Sequence, residues 1–305
     1  MNLKNRYSFQ DVPCCVMCGS KSKDHKVLGQ RLNQSQGFTP RTKTGIAITV
    51  LKCTNCHLIY ANPQPIPVDI QDHYGIPAED YWKPEYFQYD SDYFKQEIDR
   101  LKKLMDVKPG MKALDIGAGL GKCMISLQSA GFDAYGFEAS ESFHKMALEK
   151  MKIDPKKLTR GAIETTDYEE GFFDFITFGA VLEHLYDPAK SVEKAIKWLK
   201  PGGIIHIEIP SSRHLLAKLI NLYYRLIGTN YVTNISPMHE PYHLYEFDLK
   251  SFEEHSKSTM NYTIVFHQYY VCSAAPFPVM IHPFLSWIMK ETNTGMQLAV
   301  WLQKK

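Results

Sequence analysis

Four cysteines carry a spacing that points to metal chemistry. Cys15 and Cys18 make one C-x-x-C pair and Cys53 and Cys56 a second, with 34 residues between the pairs. Each pair can present two thiolates to one ion, and together they complete a tetrahedral sulfur set suited to zinc. Four protein ligands leave no open position for substrate, so a zinc held this way is structural. Cys14 could stand in for Cys15, whereas His57 reads as a neighbour of Cys56 rather than a ligand. The competing readings are buried free thiols or a thioredoxin-like redox pair, but the latter wants a single C-x-x-C in a βαβ setting. Residues 37–53 (GFTPRTKTGIAITVLKC) read as a hairpin leading into the second pair, punctuated by Gly37, Pro40 and Gly45.

Two further groups of residues could do reaction chemistry. Asp115-Ile-Gly117-Ala118-Gly119-Leu-Gly121 ends an apolar run. Glycines there let backbone approach a ligand and open a helix behind it. The spacing is G-x-G-x-G with an acid two residues ahead, not the G-x-G-x-x-G of dinucleotide enzymes. Glu138, followed by Ala139, closes the next apolar run, where a carboxylate can accept both hydroxyls of a ribose. Candidate bases fall in two separate constellations, Glu183-His184 after the fourth strand and His239-Glu240-Pro241-Tyr242-His243 between the fifth strand and the tail. Imidazoles, a carboxylate and a phenol on one loop make an acid–base cluster. His243 and His239 stand ahead of Tyr242 as candidate bases, and His184 is expected mainly to line the site. The bland alternatives are that His243 caps a helix beginning near Phe247 and that His239 is solvated. A metal on His239, Glu240 and His243 is not expected, since that ligand set is not distinctive.

These groups need a scaffold, and the hydrophobic pattern describes one. MKALDIG, DAYGFE, GFFDFITFGA and IIHIEIP read as buried strands, with helical patterns in LGKCMISLQSAG, after Ser140 and in DPAKSVEKAIKWLK. Strands alternating with helices predict an α/β, doubly wound parallel sheet. Ahead of it, ANPQPIPVD is a linker, and Tyr74, Tyr81, Trp82, Tyr86, Phe87 and Tyr89 either pack between modules or roof a pocket. Phe94, Ile98, Leu101 and Leu104 recur at helical spacing. Residues 213–227 form an amphipathic helix expected over the active site. The apolar segment 274–289 packs in the core by default, and otherwise could line an acceptor pocket, join a homodimer or touch a membrane surface.

Composition narrows the function classes. The 305 residues allow two domains or one core with an appendage, and 44% apolar with 22% charged residues suit a globular chain. No apolar run approaches the roughly 18 residues of a membrane span, and the N-terminus lacks a signal-peptide core, so a cytoplasmic location is expected. The net charge of +2 hides an asymmetry: residues 1–62 carry nine Lys/Arg against two Asp/Glu. A basic front module favours an anionic partner.

The runs ALDIGAGLG, YGFEAS, FDFITFGAVLEHLYDP and LKPGGIIHIEIP resemble, in order and spacing, the motifs of class I S-adenosylmethionine-dependent methyltransferases over about residues 109–210. The front segment ending in LKCTNCHLIYANPQP resembles a bacterial subgroup with an N-terminal zinc ribbon that includes sugar C-methyltransferases. The resemblance implies a Rossmann-like seven-stranded methyltransferase sheet whose last strand is antiparallel. It divides the chain into a zinc ribbon (1–68), an aromatic helical linker (69–108) and a methyltransferase domain (109–305) with a lid insert at 211–247. It also implies that Asp115, Gly117, Ala118, Gly119 and Gly121 hold the methionine end of S-adenosylmethionine and that Glu138 and Ala139 hold the ribose. Ile163 would lie beside the adenine, with Gly179 and Ala180 closing the site. Ala162 stands where relatives often carry an acid, leaving the adenine amine to backbone groups or Asp167. The implied reaction is methyl transfer to a small-molecule acceptor, such as a nucleotide-linked sugar or secondary-metabolite precursor. The alternatives are an RNA methyltransferase that uses its basic module to bind nucleic acid, and a non-catalytic zinc-ribbon adaptor.

Overall fold

Short β-branched runs separated by turn residues fold the front of the chain into small antiparallel sheets. The computed structural model describes residues 6–69, 83–272, 274–275 and 277–305. Strand β1 (Tyr7–Gln10) pairs with β5 (Gln64–Pro67), while β2 (Lys26–Leu32), β3 (Ala47–Lys52) and β4 (Ile59–Ala61) form a meander. The expected hairpin exists, but its strands are β2 and β3; Gly37, Pro40 and Gly45 all lie in the loop between them. Of the front aromatics, Tyr74, Tyr81 and Trp82 lie outside the described residues, Tyr86 is exposed, and Tyr89 meets the Ser126 hydroxyl at 3.1 Å.

The body is an α/β sheet. Helix α1 (Lys95–Leu104) buries Ile98 and Leu101, and Leu101 packs with Ala113, Met124 and Trp301. That helix is thus part of the body's core and not of a linker. The chain continues through β6 (Lys112–Ile116), α2 (Lys122–Ser129), β7 (Asp133–Glu138), α3 (Glu141–Glu149), β8 (Leu158–Arg160), β9 (Phe173–Gly179), α4 (Pro188–Trp198) and β10 (Leu199–Pro210). After the insert come α5 (Leu215–Leu226), β11 (Tyr245–Glu246), α6 (Leu249–Thr259), β12 (Tyr262–Tyr270), α7 (His282–Glu291) and β13 (Gln297–Lys304). The sheet order is β12-β13-β10-β9-β6-β7-β8, with β13 antiparallel to both neighbours, which makes the expected seven-stranded mixed sheet. Strand β9 is buried at every position but its last, as a strand covered on both faces must be. The order reverses between β6 and β9, so the connections leaving their carboxyl ends diverge and open a crevice there.

The insert departs from its expected role. Helix α5 does not cover the crevice: Tyr224 donates to the Gly37 carbonyl at 2.7 Å and Tyr223 to that of Phe38 at 3.3 Å. Its Leu216 packs with Ala274, Leu285 and Met289. Downstream, the segment around Tyr231 bridges β2 and β11 pairs with β4, so the insert covers both open edges of the front meander. Unpaired edges expose a row of backbone donors and acceptors, and covering them satisfies both. Cys15, Met17, Leu51 and Tyr60 share one buried cluster with Phe178, Ile207, Leu244 and Phe247. Front module and body are therefore joined through a common core.

Core packing accounts for only one side of the apolar segment 274–289. Leu285 and Met289 are buried, while Val279, Met280, Phe284 and Trp287 are exposed. No helix among the described residues is long and apolar enough to cross a membrane.

Gly29 marks how closely the insert approaches β2. Gln30 donates to the Asn230 carbonyl at 2.8 Å, and a Cβ on Gly29 would run into that carbonyl and come 2.9 Å from Val232 Cγ1. Gly29→Ala should therefore cost about 1–3 kcal/mol by forcing the insert off β2. Urea unfolding should show this as a lower midpoint at unchanged slope.

Candidate active site

The crevice holds a cavity of about 640 Å3, within the range of small-molecule sites. One wall is backbone. Gly117 and Gly119 have φ of 70° and 53°, a region that side chains disfavour. A Cβ on Gly117 would lie 2.6 Å from Val181 Cγ2, whereas Gly119 faces open space as far as Phe143 at 4.0 Å. Glu138, at the carboxyl end of β7, accepts the Gly119 amide at 2.8 Å and the Ser140 amide at 2.7 Å. The carboxylate thus ties the glycine loop to the start of α3. Burial raises the Glu138 pKa, and those backbone amides oppose the rise. Asp115, one strand away, is pushed up to about 8 by burial and then by the Glu138 charge.

The opposite wall is built by the turn after β9 and by the loop ahead of β11. His184, Tyr242 and Glu240 line it. Ala180 and Tyr242, both at the cavity, adopt left-handed backbone (φ 55° and 62°), and such conformations concentrate at functional sites. The Leu244 amide donates to the Glu183 carbonyl at 2.9 Å, which fixes the loop against the turn. Behind the wall, Glu183 is 1% exposed, and its Oε1 lies 3.9 Å from His184 Nε2 and 3.8 Å from His243 Nε2. The two rings stand 5.0 Å apart, edge to face. Burial pushes Glu183 up to about 8, His184 down to about 4 and His243 down to about 3. Near pH 7 both imidazoles are neutral and can accept a proton, while the carboxyl is mostly protonated. The three donor atoms also lie within 4.8 Å of one another, close enough to meet one divalent cation.

Several expected site residues stand elsewhere. His239 leaves the cavity for the front module, where its Nε2 lies 3.0 Å from a nitrogen of buried Arg31. His243 caps no helix; Asp248 is the N-cap of α6. His243 does not line the cavity and reaches it only through Glu183 and His184. Gly121 also turns away, since a Cβ there would lie 2.7 Å from Ile153. Asp115 is buried beside Cys123, the Ala118 methyl lies over Gly136, and Gly179 faces open space, so none of the three forms cavity wall. Gly117, Gly119, Glu138, Ala139, Ala162, Ile163 and Ala180 do line it. Asp167 instead accepts the Trp198 indole N–H at 3.2 Å. The sequence reading does not single out Glu164, which lines the cavity two residues beyond Ala162, and from the Glu183-His184 pair it keeps only His184 as a candidate. The signal for Glu183 was present: an acid beside a histidine at the end of a buried strand.

The four cysteines converge at the far side of the shared core. Cys15 and Cys56 sulfurs are 3.4 Å apart and those of Cys18 and Cys53 3.5 Å, with all four within 4.8 Å. These are non-bonded separations, near the ~3.8 Å expected between ligands of a tetrahedral zinc at 2.3 Å. Exposed Cys14 is outside the cluster. The Cys56 amide donates to Cys53 Sγ, and Ser20 Oγ lies 3.1 Å from both Cys18 and Cys53 sulfurs. The set fits a structural zinc in ligand type, number and outer hydrogen bonding. His57 is no ligand; its Nδ1 lies 3.6 Å from Asp248.

A family model described as a methyltransferase domain matches residues 87–255, more than half of the chain. The chain belongs to that family, the S-adenosylmethionine-dependent methyltransferases. The methyltransferase is 34% identical over 107 residues to the demethylmenaquinone methyltransferase of Bacillus mycoides, covering 33% of this chain and 45% of that protein. It is 31% identical over 133 residues to the ubiquinone biosynthesis O-methyltransferase of Methylococcus capsulatus, covering 42% and 53%. The chain thus spans about half the length of the curated relatives it matches. Among solved structures, an S-adenosylmethionine-dependent methyltransferase of Mesorhizobium loti aligns over 70% of this chain and 98% of its own, with TM-score 0.48 and 13% identity.

The raised pKa of Glu183 predicts a pH-dependent stability. Its folded value of about 8 lies above the ~4.3 of an unfolded glutamate. Its contribution is thus fully present below pH ~4.3 and is lost as pH rises through about 8. Glu183→Gln should be increasingly stabilised relative to wild type from pH 5 to 9, by up to a few kcal/mol. Thermal melts of both proteins across that range check the sign, and a constant difference would refute it.

Proposed function

We propose that the chain transfers a methyl group from S-adenosylmethionine to a small-molecule acceptor, with His184 taking the acceptor's proton. What carries the reading is one cavity that joins the Gly119–Glu138 cradle to the His184–Tyr242 wall. The residues present suit the cofactor chemically: Glu138 for a ribose, and Phe143 and Ile163 for an adenine face. Glu164 takes the place expected of Asp167 as acceptor for the adenine amine. When bound, S-adenosylmethionine supplies a methyl group on a sulfonium, so the acceptor must shed a proton as it takes the methyl.

The chain's own groups are arranged for that proton. His184 Nδ1 lies 3.2 Å from the Tyr242 carbonyl, which holds the N–H on Nδ1 and leaves Nε2 as the basic atom. Glu183 and His243 stand behind it as positioning residues. As Glu183 ionises through about pH 8, its charge stabilises the imidazolium and strengthens the base. A histidine held near pKa 4 accepts only an activated proton. That favours a phenolic hydroxyl or a carbon next to a carbonyl, as a quinone precursor or a nucleotide-linked keto sugar would offer. Two matched relatives carry names from quinone biosynthesis. The four-cysteine cluster holds a structural zinc in the same reading.

Calorimetric titration tests the core of this reading. S-adenosylmethionine should bind the wild type one to one and bind Glu138→Ala at least tenfold more weakly. No binding by folded wild type would sink the proposal and favour a non-catalytic adaptor, and methylation of RNA in preference to small acceptors would move the function to the alternative. Once an acceptor is found, kcat should rise through about pH 8 in wild type and lose that rise in Glu183→Gln. For the cysteine cluster, elemental analysis should find about one zinc per chain, and Cys53→Ser should lose it together with several kcal/mol of stability.

A further inference from the structure

A second hollow, of about 450 Å3, lies where the front module, the turn after β10, α5 and α6 meet. Four cations from four different elements line it: Lys52 at the end of β3, Arg213 after β10, Lys218 on α5 and Lys250 at the start of α6. Two acids, Asp248 and Glu253, share the lining. Asp248 accepts the Lys250 amide at 3.1 Å through one oxygen, and its other lies 3.6 Å from His57; its charge also acts on Lys218, so two acids face four cations. Positive charge therefore remains in surplus.

That surplus is held at a cost. Lys52 stands directly across the strand pair from Lys26, a like-charge register that destabilises a sheet. Lys218 falls below the ordinary lysine range, first through burial and then through the Lys52 and Arg213 charges, with Asp248 opposing. Arg213 is fixed in place by a 3.3 Å hydrogen bond to the Thr292 carbonyl. The fold gathers these four side chains, from elements far apart in sequence, around a concave volume sized for a small ligand.

We infer that this hollow is a binding site for a phosphoryl or pyrophosphoryl group, separate from the cofactor cavity. The segment 244–247 connects the two places. Its Leu244 amide binds the Glu183 carbonyl behind the reactive wall, and its Phe247 amide, one residue before Asp248 of the hollow, binds the Pro210 carbonyl. In the proposed reaction the bound group would be the pyrophosphate of a nucleotide-linked acceptor. That last role rests on the function proposed above; the anion site itself does not.

Calorimetry with inorganic pyrophosphate, and separately with S-adenosylmethionine, on the zinc-loaded full chain tests this. Pyrophosphate should bind the wild type and bind at least tenfold more weakly to the Lys52→Gln/Lys218→Gln double variant, with the S-adenosylmethionine isotherm unchanged in both. Arg213→Gln should weaken pyrophosphate as well, giving a second reading if the double variant folds poorly. Its wild-type affinity should fall steeply with added salt. No pyrophosphate binding by wild type, or equal binding by all folded variants, overturns the site. Failure of S-adenosylmethionine to bind instead strikes the methyltransferase reading and leaves the pyrophosphate result to stand on its own.

Discussion

Two residue pairs hold the reactive half of the molecule together: Tyr245 with Tyr60 and Glu246 with Ile59, the antiparallel union of β11 with β4. Through it a strand from the body's insert completes the sheet of the front module. The loop that carries Glu240, Tyr242 and His243 runs directly into that strand, so the union sets how far the loop can stand from the end of β9. The Leu244–Glu183 hydrogen bond then closes the loop onto the turn that carries His184. The Tyr242 carbonyl on His184 Nδ1 and the His243–Ser236 hydrogen bonds hold the same loop locally.

The same union explains why the cysteine cluster matters to a cavity it does not touch. Cys15, Cys53 and Cys56 are buried in one core with Leu244, Phe247 and Phe178. A metal there would tie the turn between β3 and β4 to the segment between β1 and β2, and through β4 it would steady the loop ahead of β11. The edge-covering segment around Tyr231 does the same work at the other side of the meander. The basic character of the front module also acquires a place. Lys52 lies in the hollow shared with Arg213 and Lys218, and Arg31 is buried against His239.

Much of the scaffold was legible because its signals are local. Buried parallel strands require near-continuous apolar runs, and FDFITFG and GIIHIEIP can be little else once glycines and helical periods flank them. The glycine loop and Glu138 were legible for a related reason: the backbone geometry of a strand-to-helix turn permits few residue types. The insert was misread because amphipathicity says that one helix face is covered but not by what. Helix α5 could as well have covered the crevice as the loop of the front module, and the tyrosine hydroxyls that chose Gly37 and Phe38 come from far along the chain.

The acid–base wall shows the same division. Its residue types stood in the sequence, and a loop holding His239, Glu240, Tyr242 and His243 was bound to attract attention. Which of them faces the cavity depends on contacts across 60 to 200 residues: Arg31 draws His239 away, while the Tyr242 carbonyl turns His184 inward. Sequence by itself determined the strand–helix alternation of the sheet's first half, the glycine-rich turn and the pairing of four thiols into two C-x-x-C knuckles, because each follows from spacing along a short stretch. Tertiary structure alone decided that the insert serves as edge strands, that Glu183 lies buried between two imidazoles, and that four scattered cations share one hollow. Burial and charge proximity belong to the folded surface, and no local pattern encodes them.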